Sequence, residues 1–375
     1  MINRDLAEIV VDLRKKGKAI VLTGPRQVGK TTLLKTLFGN QKNVLWLDGD
    51  DATIRERLKN AGTAYLKTLV AGNQIVVIDE AQRIDDVGLI GKQLVDQMPD
   101  VELFITGSSA LELSGKTREP MTGRKWSLQL YPFSFREMVR HHGLIDETSQ
   151  LKQRLVYGYY PEIVVQSGRE ERRLKELSES YLYKDIYAIE KIQKPEKFER
   201  LLKLLAFQIG QQVSNHELAI NTGLDVSTVE RYIDLLEKAF VVFRIPSFQR
   251  NKRNELKKSR KIYFVDNGIR NAIIEQWSPV DMRADAGMLW ENWMMSERRK
   301  LINNEQAMVS SYFWRTTAQQ EVDLVEESST GLKAFEFKWN ERARGNVSTA
   351  FTSAYPEATT NLITPKNFET FLMEI

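Results

Sequence analysis

The stretch Gly24-Pro25-Arg26-Gln27-Val28-Gly29-Lys30-Thr31 constrains the fold of this chain more than any other, because it is a complete G-x-x-x-x-G-K-[ST] phosphate loop. Ala19-Ile20-Val21-Leu22-Thr23 before it is a short apolar run of strand type, and Leu33, Leu34 and Leu37 after it form a helical stripe. The loop is therefore expected between a buried strand and a helix N-terminus, where free backbone N–H groups and the helix dipole attract phosphate. Gly24 and Gly29 permit the backbone close approach that a side chain would block. Lys30 is expected to reach the β- and γ-phosphates of ATP. The Thr31 hydroxyl is expected to bind the Mg²⁺ that bridges them, with Thr32 completing the loop from Gly24.

The rest of the chain limits the metal chemistry. There are no cysteines, which excludes thiolate metal sites, and only three histidines, His141, His142 and His216, so a histidine-built zinc site is not expected and carboxylates with Mg²⁺ or Mn²⁺ are favoured. No apolar run approaches the ~20 residues that cross a bilayer, and residues 1–18 read as an amphipathic helix bearing Leu6, Ile9, Val10 and Leu13, not as a signal peptide. A cytoplasmic protein that does not enter a membrane is expected. The formal net charge is +4, but Arg250 to Lys261 alone carries +6, from seven basic residues against Glu255, which leaves −2 for the remainder. That local basicity, more than the sum, bears on nucleic-acid partners.

Residues 1–140 alternate strands and helices, the pattern of a parallel sheet covered on both faces. Asn43-Val44-Leu45-Trp46-Leu47 ends in the acidic turn Asp48-Gly49-Asp50-Asp51, and Gln74-Ile75-Val76-Val77-Ile78 runs into Asp79-Glu80, a Walker B pattern about fifty residues beyond the loop. Asp79 is expected in the Mg²⁺ shell and Glu80 beside the attacking water. A further strand, Val101 to Thr106, ends in Gly107-Ser108-Ser109, where Ser108 either senses the γ-phosphate or caps a helix. Arg124 either stabilises charge on the transferred phosphoryl group, in its own subunit or a neighbour's, or is an exposed structural arginine.

The loop, Ile78-Asp79-Glu80-Ala81-Gln82, Thr106-Gly107-Ser108-Ser109, Gly123-Arg124 and Tyr131-Pro132-Phe133-Ser134-Phe135 together resemble the prokaryotic AAA-type ATPases that carry a C-terminal domain of unknown function. The resemblance spans essentially the whole chain and implies an ATP-dependent protein. Gly158-Tyr159-Tyr160-Pro161-Glu162 is similar to that family's Gly-Gly-Tyr-Pro-Glu signature, with a tyrosine at the second glycine.

Residues 141–200 read as a charged helical connector, with Leu174, Leu177, Tyr181 and Leu182 at helix spacing. Residues 201–261 read as helices, a Gly223-Leu224 turn, a helix capped by Ser227, and a hairpin through Phe240 to Phe243. This resembles a winged helix-turn-helix. Ser227, Thr228, Glu230 and Arg231 are then expected to face a DNA groove, and Lys252, Arg253, Lys257, Lys258, Arg260 and Lys261 the DNA backbone. A protein-docking role for the same module stays open.

Residues 262–375 begin with a helix at Gly287 to Trp293, followed by strand-like runs over Met308 to Thr316, Glu321 to Glu326 and Leu332 to Trp339. Alternation puts Glu336 and Lys338 on one face, within reach of Asp323 on the neighbouring strand. Asp323 and Glu336 would hold a divalent metal and Lys338 would activate water, with Glu291 contributing from the helix. The pattern resembles the restriction-endonuclease-like nucleases of the PD-(D/E)xK type, including Holliday junction resolvases, although Val322 stands where the motif has proline. A charged solvent face on a hairpin is the alternative. The tryptophans at 290, 293, 314 and 339 read as core, with Trp314-Arg315 an outside candidate for stacking on nucleic acid.

The expected architecture is an α/β, AAA-type P-loop domain, a helical connector, a winged helix and a C-terminal α/β nuclease-like domain. The expected function is a Mg²⁺-dependent ATPase that binds DNA and cleaves structured DNA, the rival being a non-nucleolytic ATP-dependent switch docking on DNA or protein. A homo-oligomer is compatible with either.

Overall fold

The computed structural model describes residues 2–107, 121–179, 186, 192, 194–248, 260–345 and 347–375. Ser108 and Ser109, the helical reading of Tyr181 and Leu182, and Arg250, Lys252, Arg253, Glu255, Lys257 and Lys258 lie outside the described residues. The chain divides into two compact units, Met1–Phe133 with Lys238–Phe240, and Ser134–Glu237 with Val241–Ile375.

In the first unit, β1 (Ala19–Thr23), β2 (Val44–Asp48), β3 (Ile75–Asp79), β4 (Glu102–Gly107) and β5 (Lys125–Gln129) form one sheet in the order β2-β3-β4-β1-β5. Every pairing is parallel. Each residue of β3 is buried, as expected for a central parallel strand covered on both faces, and this is why its sequence is a continuous apolar run. Helices over Lys30–Phe38, Ala52–Leu58, Thr63–Val70 and Val87–Gln97 connect the strands. Leu66, Val70, Val87, Ile90 and Leu94 from two of those helices share a core with Val76, Ile78, Leu103 and Ile105. Inserting β4 between β1 and β3 brings three carboxyl strand ends together, where ligands of open α/β sheets bind.

In the second unit, a run of helices leads to Pro195–Phe207, a two-residue strand β6 (Gln212–Val213), helices Asn215–Thr222 and Val226–Lys238, and a hairpin of β7 (Val242–Pro246) and β8 (Arg260–Phe264). The antiparallel order is β6-β8-β7. β7 starts later than Phe240, whose φ of +60° turns the chain at the helix end. Helix Val226–Lys238 is capped by Asp225, not Ser227: the Thr228 amide donates to its carboxylate at 2.8 Å, and both hydroxyls, Ser227 and Thr228, donate to it as well.

A 19-residue helix, Ala286–Asn304, then packs on a second sheet, β9 (Ser310–Arg315), β10 (Glu321–Ser328), β11 (Gly331–Phe337) and β12 (Thr359–Ile363), in the order β12-β11-β10-β9. β9, β10 and β11 form an antiparallel meander and β12 runs parallel to β11. Trp290 and Trp293 stack 5.5 Å apart against Phe368, and Trp314 packs edge-on to Phe351 at 5.3 Å. All four tryptophans are thus core or core-edge residues, and the stacking role for Trp314 is set aside because the residue is only 8% exposed.

Tyr159 has an ordinary negative φ and needs no glycine. The preceding Gly158 does the conformational work: its φ is +71°, and a Cβ there would lie 2.1 Å from the Asp266 carboxylate that accepts the Tyr159 amide.

Candidate functional site

The phosphate loop leaves β1 and enters helix Lys30–Phe38 through Gly29, in the left-handed region at φ +93°. Gly24 is required by proximity, since a Cβ there would come within 2.0 Å of the Leu130 carbonyl just past the neighbouring β5. Lys30 is buried and its ammonium donates to the carbonyls of Gly24 at 3.0 Å and Pro25 at 2.7 Å, inside the curl of the loop. Arg26 is half-buried, Gln27 is exposed at φ +58°, and Thr32 lies on the first helical turn. Val28 is fully buried, and its carbonyl is held by the guanidinium of Arg4 at 2.7 Å, which also grips the Tyr131 carbonyl at 2.6 Å. Arg4 therefore clamps the loop from outside the motif.

Thr31 donates its hydroxyl to Asp79 Oδ2 at 2.7 Å. Adjacent ligands of octahedral Mg²⁺ lie about 3 Å apart, given metal–oxygen distances near 2.1 Å. Thr31 and Asp79 are thus already spaced to share one ion, and the hard oxygen donors suit Mg²⁺. The other Asp79 oxygen accepts from the Thr106 hydroxyl, which in turn accepts the Glu80 amide at 3.2 Å. Thr106 is fully buried at the end of β4 and ties β3 to β4. It is a residue that reading for charged groups passes over; its signal is a hydroxyl closing an otherwise apolar strand. Glu80 sits at φ +46°, ψ +42°, a conformation that costs a non-glycine residue about 1 kcal/mol or more. Its carboxylate accepts from Gln82, which fixes its direction.

Arg124 is corrected as a group acting on phosphate in its own subunit. Its carbonyl accepts the Ala19 amide at the amino end of β1, so it lies roughly 16 Å along the strand from the loop. Its guanidinium pairs with Asp96 at 2.6 Å.

In the second unit, Asn292 locks helix Ala286–Asn304 onto β8 by accepting the Phe264 amide at 2.7 Å and donating to the Phe264 carbonyl at 3.0 Å. That register sets Glu291 over Lys261 and Tyr263: the same Glu291 oxygen accepts from the Lys261 ammonium at 2.9 Å and the Tyr263 hydroxyl at 2.6 Å. Lys261 also pairs with Glu321 at 2.5 Å and approaches Asp323 to 3.9 Å. A β-bulge between Val322 and Val325 turns Asp323 inward, where its carboxylate accepts the Phe337 amide at 2.8 Å. Glu336 pairs with Lys338 at 2.6 Å, while its other oxygen is buried without a hydrogen bond.

The charges respond to this crowding. Burial, then the neighbouring Glu291 carboxylate, pushes Asp323 well above the usual carboxylate range. Burial alone would lower Lys261, but Glu291, Asp323 and Glu321 outweigh it and hold the ammonium firmly protonated. Lys338 is likewise raised: burial opposes its charge, and Glu336 more than compensates.

Glu291, Asp323, Glu336 and Lys338 are thus brought into one electrostatic cluster. They do not fit a divalent ion as arranged, because the Lys261 ammonium already occupies the approach to Glu291 and Asp323. Among the described residues, no group of three or more acidic, histidine or cysteine side chains is disposed to hold a metal.

The expected DNA-facing residues are also rearranged. Lys261 is 1% exposed and engaged by carboxylates, so it is corrected as a backbone-contacting residue. Arg260 pairs with Glu230 at 2.8 Å, and Glu230 is held further by Asn215 and Arg244, so the Glu230 carboxylate is engaged by its neighbours. Ser227 and Thr228 are committed to the Asp225 cap, whereas Arg231 is exposed on the helix beside the Tyr232 ring.

The comparisons decide the first unit. Residues 16–139 match an AAA domain. The rest of the chain matches two models described as domains of unknown function, DUF8612 over residues 148–279 and DUF4143 over residues 286–372. An uncharacterized protein of Mycobacterium tuberculosis is 27% identical over 340 residues, covering 89% of this chain and 73% of the relative. An uncharacterized protein of Methanocaldococcus jannaschii is 22% identical over 354 residues, covering 87% and 75%. A Walker-type ATPase of Pyrococcus abyssi is similar in structure, with a TM-score of 0.50 at 14% identity, over 73% of this chain and 96% of that one. At that identity the likeness is one of fold, and the AAA domain accordingly has the parallel sheet of a P-loop ATPase. Among the described residues, no helix is long and apolar enough to cross a membrane.

Proposed function

We propose that the protein is a Mg²⁺-dependent ATP hydrolase whose nucleotide state governs the activity of its second unit. The observation that carries this reading is the 2.7 Å contact of Thr31 with Asp79 beneath a loop whose lysine is already turned inward. Backbone amides at the start of helix Lys30–Phe38 would bind phosphate oxygens, and Lys30 would neutralise their charge. Thr31 and Asp79 would hold Mg²⁺, which when bound offsets charge on the β- and γ-phosphates. Glu80, aimed by its backbone and by Gln82, would orient the water and accept its proton. Phosphate release from Mg-ATP tests this: turnover lost in both Thr31→Ala and Asp79→Asn supports it, and turnover retained in both refutes it.

For the second unit, three helices followed by a hairpin joined by β6 support a winged-helix reading. The helix, meander and parallel fourth strand support a restriction-endonuclease-like reading of the tail. DNA is the partner favoured by the +4 charge of residues 250–258, which remains once Arg260 and Lys261 are counted with their acidic partners. Lysine neutralises the carboxylates that cleavage would need for a metal, so the non-nucleolytic switch takes precedence over the nuclease. Anisotropy titration of labelled branched DNA across a salt series tests DNA binding. Affinity that falls steeply with salt and weakens when Lys252, Arg253, Lys257 and Lys258 are replaced by alanine supports it; unchanged affinity contradicts it.

A further inference from the structure

Within the second unit one cation stands out by its position. Lys261 is on β8, outside the tail's own four-stranded sheet, yet its ammonium is buried among Glu291 of the long helix and Glu321 and Asp323 of β10. Tyr263, two residues on along β8, reinforces the grip on Glu291. Arg315 flanks the far oxygen of Glu321 at 3.5 Å, and the Phe313 ring lies 5.8 Å from the ammonium. A buried carboxylate pair is costly unless neutralised. Here a side chain supplies the positive charge that a divalent ion supplies in metal-dependent phosphodiesterases.

We propose that Lys261 is the resident cation of the tail's acidic pocket, a tethered plug that competes with divalent metal for Glu291 and Asp323. The plug and the ion exclude each other on two grounds. They require the same carboxylate oxygens, and their like charges a few ångströms apart repel each other. Lys261 is accordingly a positioning residue: it holds Glu291, Glu321 and Asp323 while keeping metal out. The plug rests on the charge cluster alone and is independent of whether the AAA domain hydrolyses ATP.

The test uses Mn²⁺ as probe with the full chain and no nucleotide, read by electron paramagnetic resonance and by thermal unfolding. Binding at the tail is defined as the part lost in Asp323→Asn. Wild-type protein is expected to show almost none, and no rise in Tm on adding Mn²⁺ beyond that of Asp323→Asn. In Lys261→Met the Asp323-dependent binding is expected to tighten about tenfold or more, because one like charge has been removed. Its Tm, lowered by the uncompensated carboxylates, is expected to recover on adding Mn²⁺. Lys261→Met/Glu321→Gln, which removes one charge of each sign, keeps the question open to measurement should the single variant not fold. Asp323-dependent Mn²⁺ binding in wild type as tight as in the variants would overturn the proposal. So would folded variants that gain none. Phosphate release from Mg-ATP, followed in parallel, reads the first unit separately.

Discussion

The Thr106 hydroxyl donates to the Asp79 carboxylate and accepts the Glu80 amide, so a single uncharged side chain holds the Asp79 carboxylate and the Glu80 backbone at the end of β3. Replacing it by valine keeps the shape and removes both bonds. Thr106→Val should lower stability by about 1–3 kcal/mol, the usual cost of leaving buried polar groups without partners. ATP turnover should fall more than ATP binding, because Asp79 and Glu80 lose their alignment. Denaturant unfolding and a split of kcat from KM check this; a KM effect alone would contradict it.

Glu80→Gln retains size and the contact with Gln82 but cannot accept a proton. Turnover should drop about 10²- to 10⁴-fold, the range expected of a general base, with nucleotide affinity preserved. Fluorescent-nucleotide titration alongside phosphate release distinguishes this from a folding defect.

Arg124→Ala should leave turnover within about twofold, since the residue lies at the opposite end of β1 and its pair with Asp96 is partly exposed. A tenfold loss, growing with protein concentration, would instead assign the arginine to a neighbouring subunit's site.

Asp285 accepts from Arg270 at 2.7 Å and Arg283 at 2.8 Å. Burial would raise its pKa, but the hydrogen bonds from Arg283 and Arg270 outweigh burial and hold it at about 2, below the ordinary 3.8. A depressed carboxylate contributes stability that is complete above the unfolded value and fades as pH falls through the folded one. Unfolding of the second unit should therefore become easier between about pH 4 and pH 2, and Asp285→Asn should flatten that dependence. The substitution should cost about 2–3 kcal/mol, less than a fully buried pair because the carboxylate is 19% exposed.

The parts of the fold carried by local pattern were legible in the sequence. The loop, the Asp79-Glu80 box and the apolar strands around them declare themselves because parallel strands buried on both faces must be continuously hydrophobic. The helix and the three strands after it in the tail also followed from alternation, although β12 escaped notice since Thr359-Thr360-Asn361 is polar and exposed on a sheet edge. Long-range pairings were not legible. Nothing near Lys261 in the chain signals that its partners are Glu291 and Glu321, and a lysine closing a basic run reads as a phosphate contact until the fold buries it. Of the two readings of Arg124, the register of β5 with β1 favours the structural arginine over a phosphate contact in its own subunit, a choice that only the long-range pairing could make. Ser227 gave way to Asp225 as the cap because the helix starts at Val226, one residue earlier than Ser227 would require, which leaves Ser227 inside the first turn.

The phosphate loop carries the rest of the proposed chemistry, and Lys30 is the residue whose removal isolates it. Phosphate release from Mg-ATP by wild type and Lys30→Ala, with both shown folded by thermal unfolding, is the most direct measurement. Turnover in wild type that falls at least about a hundredfold in the variant is the predicted result. Equal turnover in the two proteins, or none in wild type, would contradict it.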